Sequence, residues 1–294
     1  MKSDSTANCA SNVGPARSTG TECFHQPWRM ARILGRSFLL PGTCLAPWSG
    51  EIRPYSLLET SFGDLNDKDQ TMTSPTPALQ IDIVSDVMCP WCIVGYRQLA
   101  TALKATGTPH EIRWHPFELN PNMPAEGQNI REHLAEKYGS TDEQSEANRA
   151  HLTRVGAEVG FEFRFTEDQR MHNTFDQHQL MHWADQQGRR HDLKMALFDA
   201  HFTHGRNLSD RAVLADVAAE IGLARDEALA VLMDQRFAAE VREAEQFWVN
   251  QGVRGVPAVV FNRRHLVSGA QGVENFTSIL KQLAAMPEEA APSA

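Results

Sequence analysis

The sequence predicts an α/β fold in which an all-helical segment is inserted between two sheet-forming segments. Three observations predict it. Residues 79–119 read as strand, helix, strand; residues 126–251 carry helical periodicity; after Gly255 the hydrophobic period returns to two. With 294 residues, 41% hydrophobic and 22% charged, the chain is of ordinary globular composition and long enough to bury a real core. A net charge of −9 argues against a nucleic-acid partner. No apolar run is long enough to span a membrane.

Residues 1–78 precede the first strand. They are broken by Gly14, Pro15, Gly20, Pro27, Gly35, Pro41, Gly42, Pro47, Gly50 and Pro54, with no sustained period between. A secretory signal needs basic residues followed by an apolar core of roughly 7–15 residues. The run "MARILGRSFLLPGTCLA" from Met30 approaches that, but Arg36, Pro41 and Gly42 interrupt it. Arg29, Arg32 and Arg36 suit an organellar transit peptide, yet no amphipathic stripe follows. The preferred reading is a disordered extension, or one translated from a start assigned too far upstream, with Met72 opening a short polar leader.

The apolar run "LQIDIVSDV" (79–87), rich in Ile and Val, is a buried strand. Pro90 suits the first turn of a helix, and Ile93, Val94, Tyr96, Leu99, Ala100 and Leu103 recur at helical spacing until Gly107 and Pro109. "HEIRWHPFEL" (110–119) alternates Ile112, Trp114 and Phe117 as a second strand, parallel to the first. In the helical segment, residues 211–223 line up Leu214, Val217, Ala218 and Ile221, with Ser209 as N-cap and Gly222 at the stop. A helix over 226–237 starts from a capping Asp226. The next, 239–252, turns Val241, Ala244 and Trp248 inward and ends at Gly252. "PAVVF" (257–261) and "HLVSGA" (265–270), joined by the polar turn 262–264, form a hairpin. A final helix, 272–285, carries Val273, Phe276, Ile279, Leu280 and Leu283. This order is the thioredoxin layout: a thioredoxin domain over 79–125 and 252–286, with an inserted helical domain over 126–251.

The chemistry concentrates in "DVMCPWCIVGYRQL" (86–99). Cys89 and Cys92 could hold a metal, form a structural disulfide, or exchange electrons. Five cysteines are too few for a disulfide scaffold, and Cys9, Cys23 and Cys44 all fall in the first fifty residues. Nothing from 93 to 294 completes a four-cysteine zinc site. Cys89 at a helix N-terminus meets unpaired N–H groups and the positive end of the macrodipole, which favour a thiolate. Its sulfur is expected to be exposed with a lowered pKa, and that of Cys92 to lie one turn deeper. In "GVRGVPAVVF" (252–261), Pro257 opens a strand without a ladder donor and is a candidate for a cis bond.

Downstream of residue 79 the chain resembles the DsbA-like thioredoxin family, and within it the FrnE subfamily grouped with the 2-hydroxychromene-2-carboxylate isomerases. The resemblance rests on "DVMCPWC", "NTFDQHQLMHWADQQG" (173–188), "LFDAHFTHGRNLSDRAVL" (197–214) and "GVRGVPAVVFNRRHLVSGAQ" (252–271). It implies thiol–disulfide redox activity, with Cys89 as attacking thiol, Cys92 as resolving thiol and Pro257 as the cis-proline facing them. Pro90 and Trp91 would tune the pair, and the backbone of Val256 would stay free to pair with an extended substrate peptide. The isomerases and kappa-class glutathione transferases carry serine at the first cysteine position; cysteine here favours redox over glutathione chemistry.

Other residues stay candidates. Asp86 could accept the proton of Cys92. His178 and His182, four apart, have metal-ligand spacing, but without a third ligand no metal is expected, and they read as groove-lining or hydrogen-bonded helix residues. His201 and His204 read likewise, His115 as structural, and Trp183 and Trp248 as core or groove wall. The expected protein is a cytoplasmic thiol–disulfide oxidoreductase needing no cofactor, with glutathione as a redox partner. Its substrate would be a disulfide-containing protein or a small thiol, with no membrane partner. The rivals are a glutathione-dependent isomerase or transferase and a redox-gated peptide-binding module.

Overall fold

The structure, a computed structural model, describes residues 78–286 and the two-residue strand Arg53–Pro54. The signal-like run from Met30 and the leader from Met72 lie outside the described residues. The strands are β1 (Arg53–Pro54), β2 (Leu79–Ser85), β3 (His110–Pro116), β4 (Gln128–Asn129), β5 (Arg170–Met171), β6 (Ala258–Phe261) and β7 (His265–Ser268). The helices are α1 (Pro90–Thr106), α2 (Ile130–Tyr138), α3 (Asp142–Glu158), α4 (Phe175–Asp185), α5 (Arg190–Phe202), α6 (Arg211–Glu220), α7 (Arg225–Asp234), α8 (Ala238–Asn250) and α9 (Val273–Ala285).

Five strands form one sheet in the order β1-β7-β6-β2-β3. The βαβ expectation holds: β2 and β3 are parallel, from Leu79 opposite His110 to Ser85 opposite Pro116. On its other side β2 runs antiparallel to β6, with Ile83 opposite Val259. The β6–β7 hairpin turns through Asn262 and Arg263, both left-handed at φ 48° and 56°, as a tight hairpin with right-handed strand twist requires. Two residues assigned to the extension do join this sheet, since β1 pairs with β7 through Arg53 opposite Leu266.

Three apolar clusters follow the layers. Ile81, Ile83, Leu99, Leu103, Phe261, Phe276, Ile279 and Leu280 lie between the sheet and α1 and α9. Leu180, Leu193, Leu197, Leu214, Val217, Val231 and Leu232 form the centre of the helical segment. A third draws on both parts, joining Cys89, Cys92 and Ile93 to Phe161, Phe163, Phe198, Phe202 and Trp248. Each such side chain contributes roughly 1.5–3 kcal/mol by leaving water. The dithiol therefore lies in the seam between sheet and helices.

Several local expectations are corrected. The segment 126–251 is not helical throughout: β4 and β5 pair antiparallel, Gln128 opposite Met171. Gly127 permits it, with φ 68° and no room for a Cβ against the Met171 carbonyl. The N-cap of α6 is Asp210, whose side chain accepts from the Ala212 N–H at 2.8 Å, while Ser209 bonds to Asn207 instead. Asp226 is not a cap, because α7 starts at Arg225 after Ala224 and places Asp226 in its first turn, still complementing the dipole. No helix among the described residues is long and apolar enough to cross a membrane.

Candidate active site

β2 ends where the Asp86 carboxylate captures the backbone. One oxygen accepts from the Met88 N–H at 3.1 Å, the other from the Leu119 N–H at 2.6 Å, and the Asp86 carbonyl accepts from the Cys89 N–H at 3.3 Å. Val87 and Met88 sink into the centre of the helical segment. Hydrogen bonds on one side and burial on the other thus fix the turn that delivers the cysteines. Asp86 is 1% exposed, and burial raises its pKa against the pull of its hydrogen bonds and of Lys194. Both its oxygens already serve the fold.

Cys89 is the N-cap of α1 and Pro90 opens the helix, as its missing N–H allows. The Cys92 N–H donates to the Cys89 carbonyl at 3.0 Å. Both thiols are free, at 5% exposure for Cys89 and 0% for Cys92. The Cys89 sulfur donates to the Val256 carbonyl at 3.6 Å. The Val256–Pro257 peptide is cis, and the Pro257 carbonyl accepts from the Gly269 N–H at 2.7 Å. Gly95, one turn into α1, lets this loop approach: a Cβ there would stand 3.2 Å from the Pro257 Cγ. Trp91 lies half-buried outside the pair, its ring centroid 5.7 Å from that of His151.

Two expectations about the dithiol are corrected. The Cys89 sulfur is not on an exposed helix end but buried, and the Val256 carbonyl already has a partner in it. Nor is the Cys89 pKa lowered: its interaction with the Cys92 side chain, burial and the Asp86 charge push it well up. For Cys92, burial acts upward, but Cys89, the Lys194 ammonium and the Ser85 hydroxyl outweigh it and the thiol is lowered. The two sulfurs titrate as a pair, with the negative charge favoured on the deeper one. Access still ranks Cys89 first, and a proton passed between neighbouring sulfurs exchanges their roles.

On the helical side, His178, Trp183 and Trp248 take the hydrogen-bonded and core alternatives. His178 is buried, within 3.1 Å of the Phe117 carbonyl through Nε2, and held neutral chiefly by burial. His182 packs half-buried against the Phe237 ring at 4.9 Å. Trp183 is core, donating to Glu227 at 3.3 Å. His178 and Trp183 are buried in the interior with most of α4, and His182 is partly exposed. Trp248 is core too, its ring 4.7 Å from that of His115, which pairs with Asp82 at 2.7 Å. His201 is buried, with burial taking its pKa to about 3, whereas His204 meets Asp199 at 3.1 Å on the surface. Among the described residues no group of three or more His, Cys, Asp or Glu is placed to hold a metal.

Two features escape the sequence. Lys194 on α5 is fully buried, with burial lowering its pKa to about 8. Glu118, Arg242 and Glu245 form a second cluster: Arg242 pairs with both carboxylates and lies 3.7 Å over the Phe175 ring, while Asn173 donates to Glu118 at 2.8 Å. Burial and the Glu118 charge push Glu245 up to about 7. No motif marks either, since a lysine or glutamate in an amphipathic helix normally faces water.

Residues 80–281 match the family described as DSBA-like thioredoxin domain. Uncharacterized protein YwbO of Bacillus subtilis (strain 168) is 24% identical over 199 residues, 67% of this chain and 94% of YwbO. The crystal structure of the probable DsbA oxidoreductase SCO1869 from Streptomyces coelicolor is 34% identical with a TM-score of 0.68, covering 74% of this chain and 94% of that one. The cytosolic disulfide reductase DsbM from Pseudomonas aeruginosa, solved with GSH, is 17% identical with a TM-score of 0.50, covering 70% of this chain and 100% of that one. At that identity the likeness is one of fold.

Proposed function

Because the chain belongs to the family of DsbA-like thioredoxin domains, we propose that it exchanges disulfides of proteins or small thiols through Cys89 and Cys92, in the cytoplasm. The observation that carries this is a free dithiol at the start of α1 with the Cys89 thiol against the Val256 carbonyl. Family membership supports oxidoreductase chemistry in general, and the free dithiol supports this reaction within it.

In the reducing direction, the Cys89 proton moves onto Cys92 and the Cys89 thiolate attacks a substrate disulfide. A Cys89–substrate disulfide forms, and the first substrate sulfur leaves as thiolate and takes up a proton. Cys92, once deprotonated, attacks the Cys89 sulfur, and the second substrate thiol leaves. Two electrons pass to the substrate, and the Cys89–Cys92 disulfide remains. Asp86, its affinity for a proton raised by burial, is the proposed acceptor for the Cys92 proton. The Val256 carbonyl, freed when Cys89 reacts, is offered to the substrate backbone. Glutathione is the proposed partner that restores the dithiol, and no other cofactor is required.

The test compares insulin disulfide reduction with glutathione conjugation of an aromatic electrophile on one preparation. Reduction should dominate, vanish in Cys89→Ser, and stall in Cys92→Ser as a trapped substrate mixed disulfide. Adducts on the Cys89→Ser protein instead would reverse the roles of the two sulfurs. Conjugation without reduction would replace this reading with the isomerase or transferase one.

A further inference from the structure

Lys194 is the one lysine among the described residues at 0% exposure, and its surroundings do not solvate an ammonium. Its Nζ reaches the Ser85 carbonyl at 3.5 Å, at the outer limit of a hydrogen bond. It otherwise rests on ring faces, 4.9 Å from the Phe198 centroid and 5.6 Å from that of Trp114. An ammonium has three protons to donate, and burying one without compensation is costly. The acidic groups that act on it are Cys92, Asp86 and Cys89, and both cysteines pack in the buried cluster that holds Phe198. Arg190, one turn earlier on α5, adds like charge, but its guanidinium is turned to the Met181 and Trp114 carbonyls and to Asp185. His178 on α4 faces the site as a neutral ring. The Ser85 hydroxyl, buried without a conventional hydrogen-bond partner among the described residues, acts on Cys92.

We propose that Lys194 is a positioning residue for the dithiol: the buried counter-charge that holds one thiolate on the reduced Cys89–Cys92 pair, supplied by the helical segment to a site on the sheet. This rests on the redox reading of the pair. Oxidation removes two electrons and the one remaining thiol proton and leaves a neutral disulfide. The negative charge beside Lys194 therefore exists in the reduced state alone. A cation there stabilises the dithiol form against the disulfide and makes the protein a better oxidant. Linkage is reciprocal, so the thiolate must also help Lys194 keep its own proton.

Lys194→Met tests this in the reduced protein. Thiolate absorbance against pH should shift to higher pH, with at least about a tenfold loss of thiolate at neutral pH. The dithiol–disulfide equilibrium against glutathione should move toward disulfide by about tenfold, roughly 30 mV. A folded variant with an unchanged thiol titration overturns the proposal. The second measurement uses the native residue and is independent of whether that variant folds. The carbon resonance next to the Lys194 amine is titrated in the reduced protein and in Cys89→Ser/Cys92→Ser. The midpoint should fall in the double variant; equal midpoints overturn the proposal. Neither titration depends on turnover, so failure to reduce insulin would sink the redox reading while leaving Lys194 decided separately.

Discussion

The two sides of the dithiol are built in different ways. On the sheet side the site is made of backbone: the turn after β2, the first turn of α1, and the Val256 and Pro257 carbonyls. On the helical side it is made of single side chains, Lys194 and Phe198 from α5, with His178 behind them on α4. The sheet side fixes where the sulfurs are. The helical side fixes what charge they carry, because low-dielectric surroundings let one ammonium act strongly at short range. One part of such a site can change its redox character while the other keeps its geometry.

The largest expected effect that separates them is Phe198→Ala. Phe198 is fully buried under the Lys194 ammonium, and its truncation should cost about 3–5 kcal/mol. Chemical denaturation measures that loss, and the folded fraction should show an altered thiol titration. An unaltered titration would mean that Phe198 serves stability alone. Gly95→Val probes the sheet side by driving two methyls toward Pro257 and Ala270. Overpacking of this kind costs typically about 1–3 kcal/mol, and insulin reduction should fall with it. Full activity in that variant would show that the loop opposite Cys89 tolerates displacement.

A smaller effect is the pH dependence set by the second cluster. Glu245 is raised to about 7 in the fold, against about 4.3 for a free glutamate. Between those values the folded state keeps a proton that the unfolded state has lost, so this group makes stability fall as pH rises through that window. Glu245→Gln should flatten the fall and raise the melting temperature most at pH 8. An unchanged slope of melting temperature against pH would remove the cluster from consideration. The smallest effect concerns β1. A chain starting at Met72 loses the two-residue pairing with β7 and should keep its activity. Its melting temperature should stay within about 4 °C, near 1 kcal/mol for a domain of this size. A larger drop would make the amino-terminal segment part of the fold.

What could be read without coordinates was what local chemistry dictates. Periodicity placed β2, α1, β3, the final hairpin and α9 in order, because burial of one face forces a period on each element. Cys-x-x-Cys after a strand and a proline opening a later one are marks of backbone geometry, and backbone geometry is written in short motifs. Where periodicity alone was followed, it overran: the pair β4 and β5 sits in a stretch read as helix, held by Gly127 and two residues per strand.

Tertiary structure alone decided the charge state of the site. Lys194 lies in "HDLKMALF", indistinguishable in sequence from a lysine on a solvated face, and the polar residues of α4 that proved to be core give as little sign of it. The expected exposure and acidity of Cys89 failed for the same reason. A helix N-terminus favours a thiolate when it is considered alone, but here burial, a neighbouring thiol and the Asp86 charge act on the same sulfur. Hydrogen-bonding and dihedral preferences act over a few residues, so sequence carries them. Desolvation and Coulomb terms depend on what the rest of the chain brings within a few ångströms, and that is settled when the helices close over the sheet.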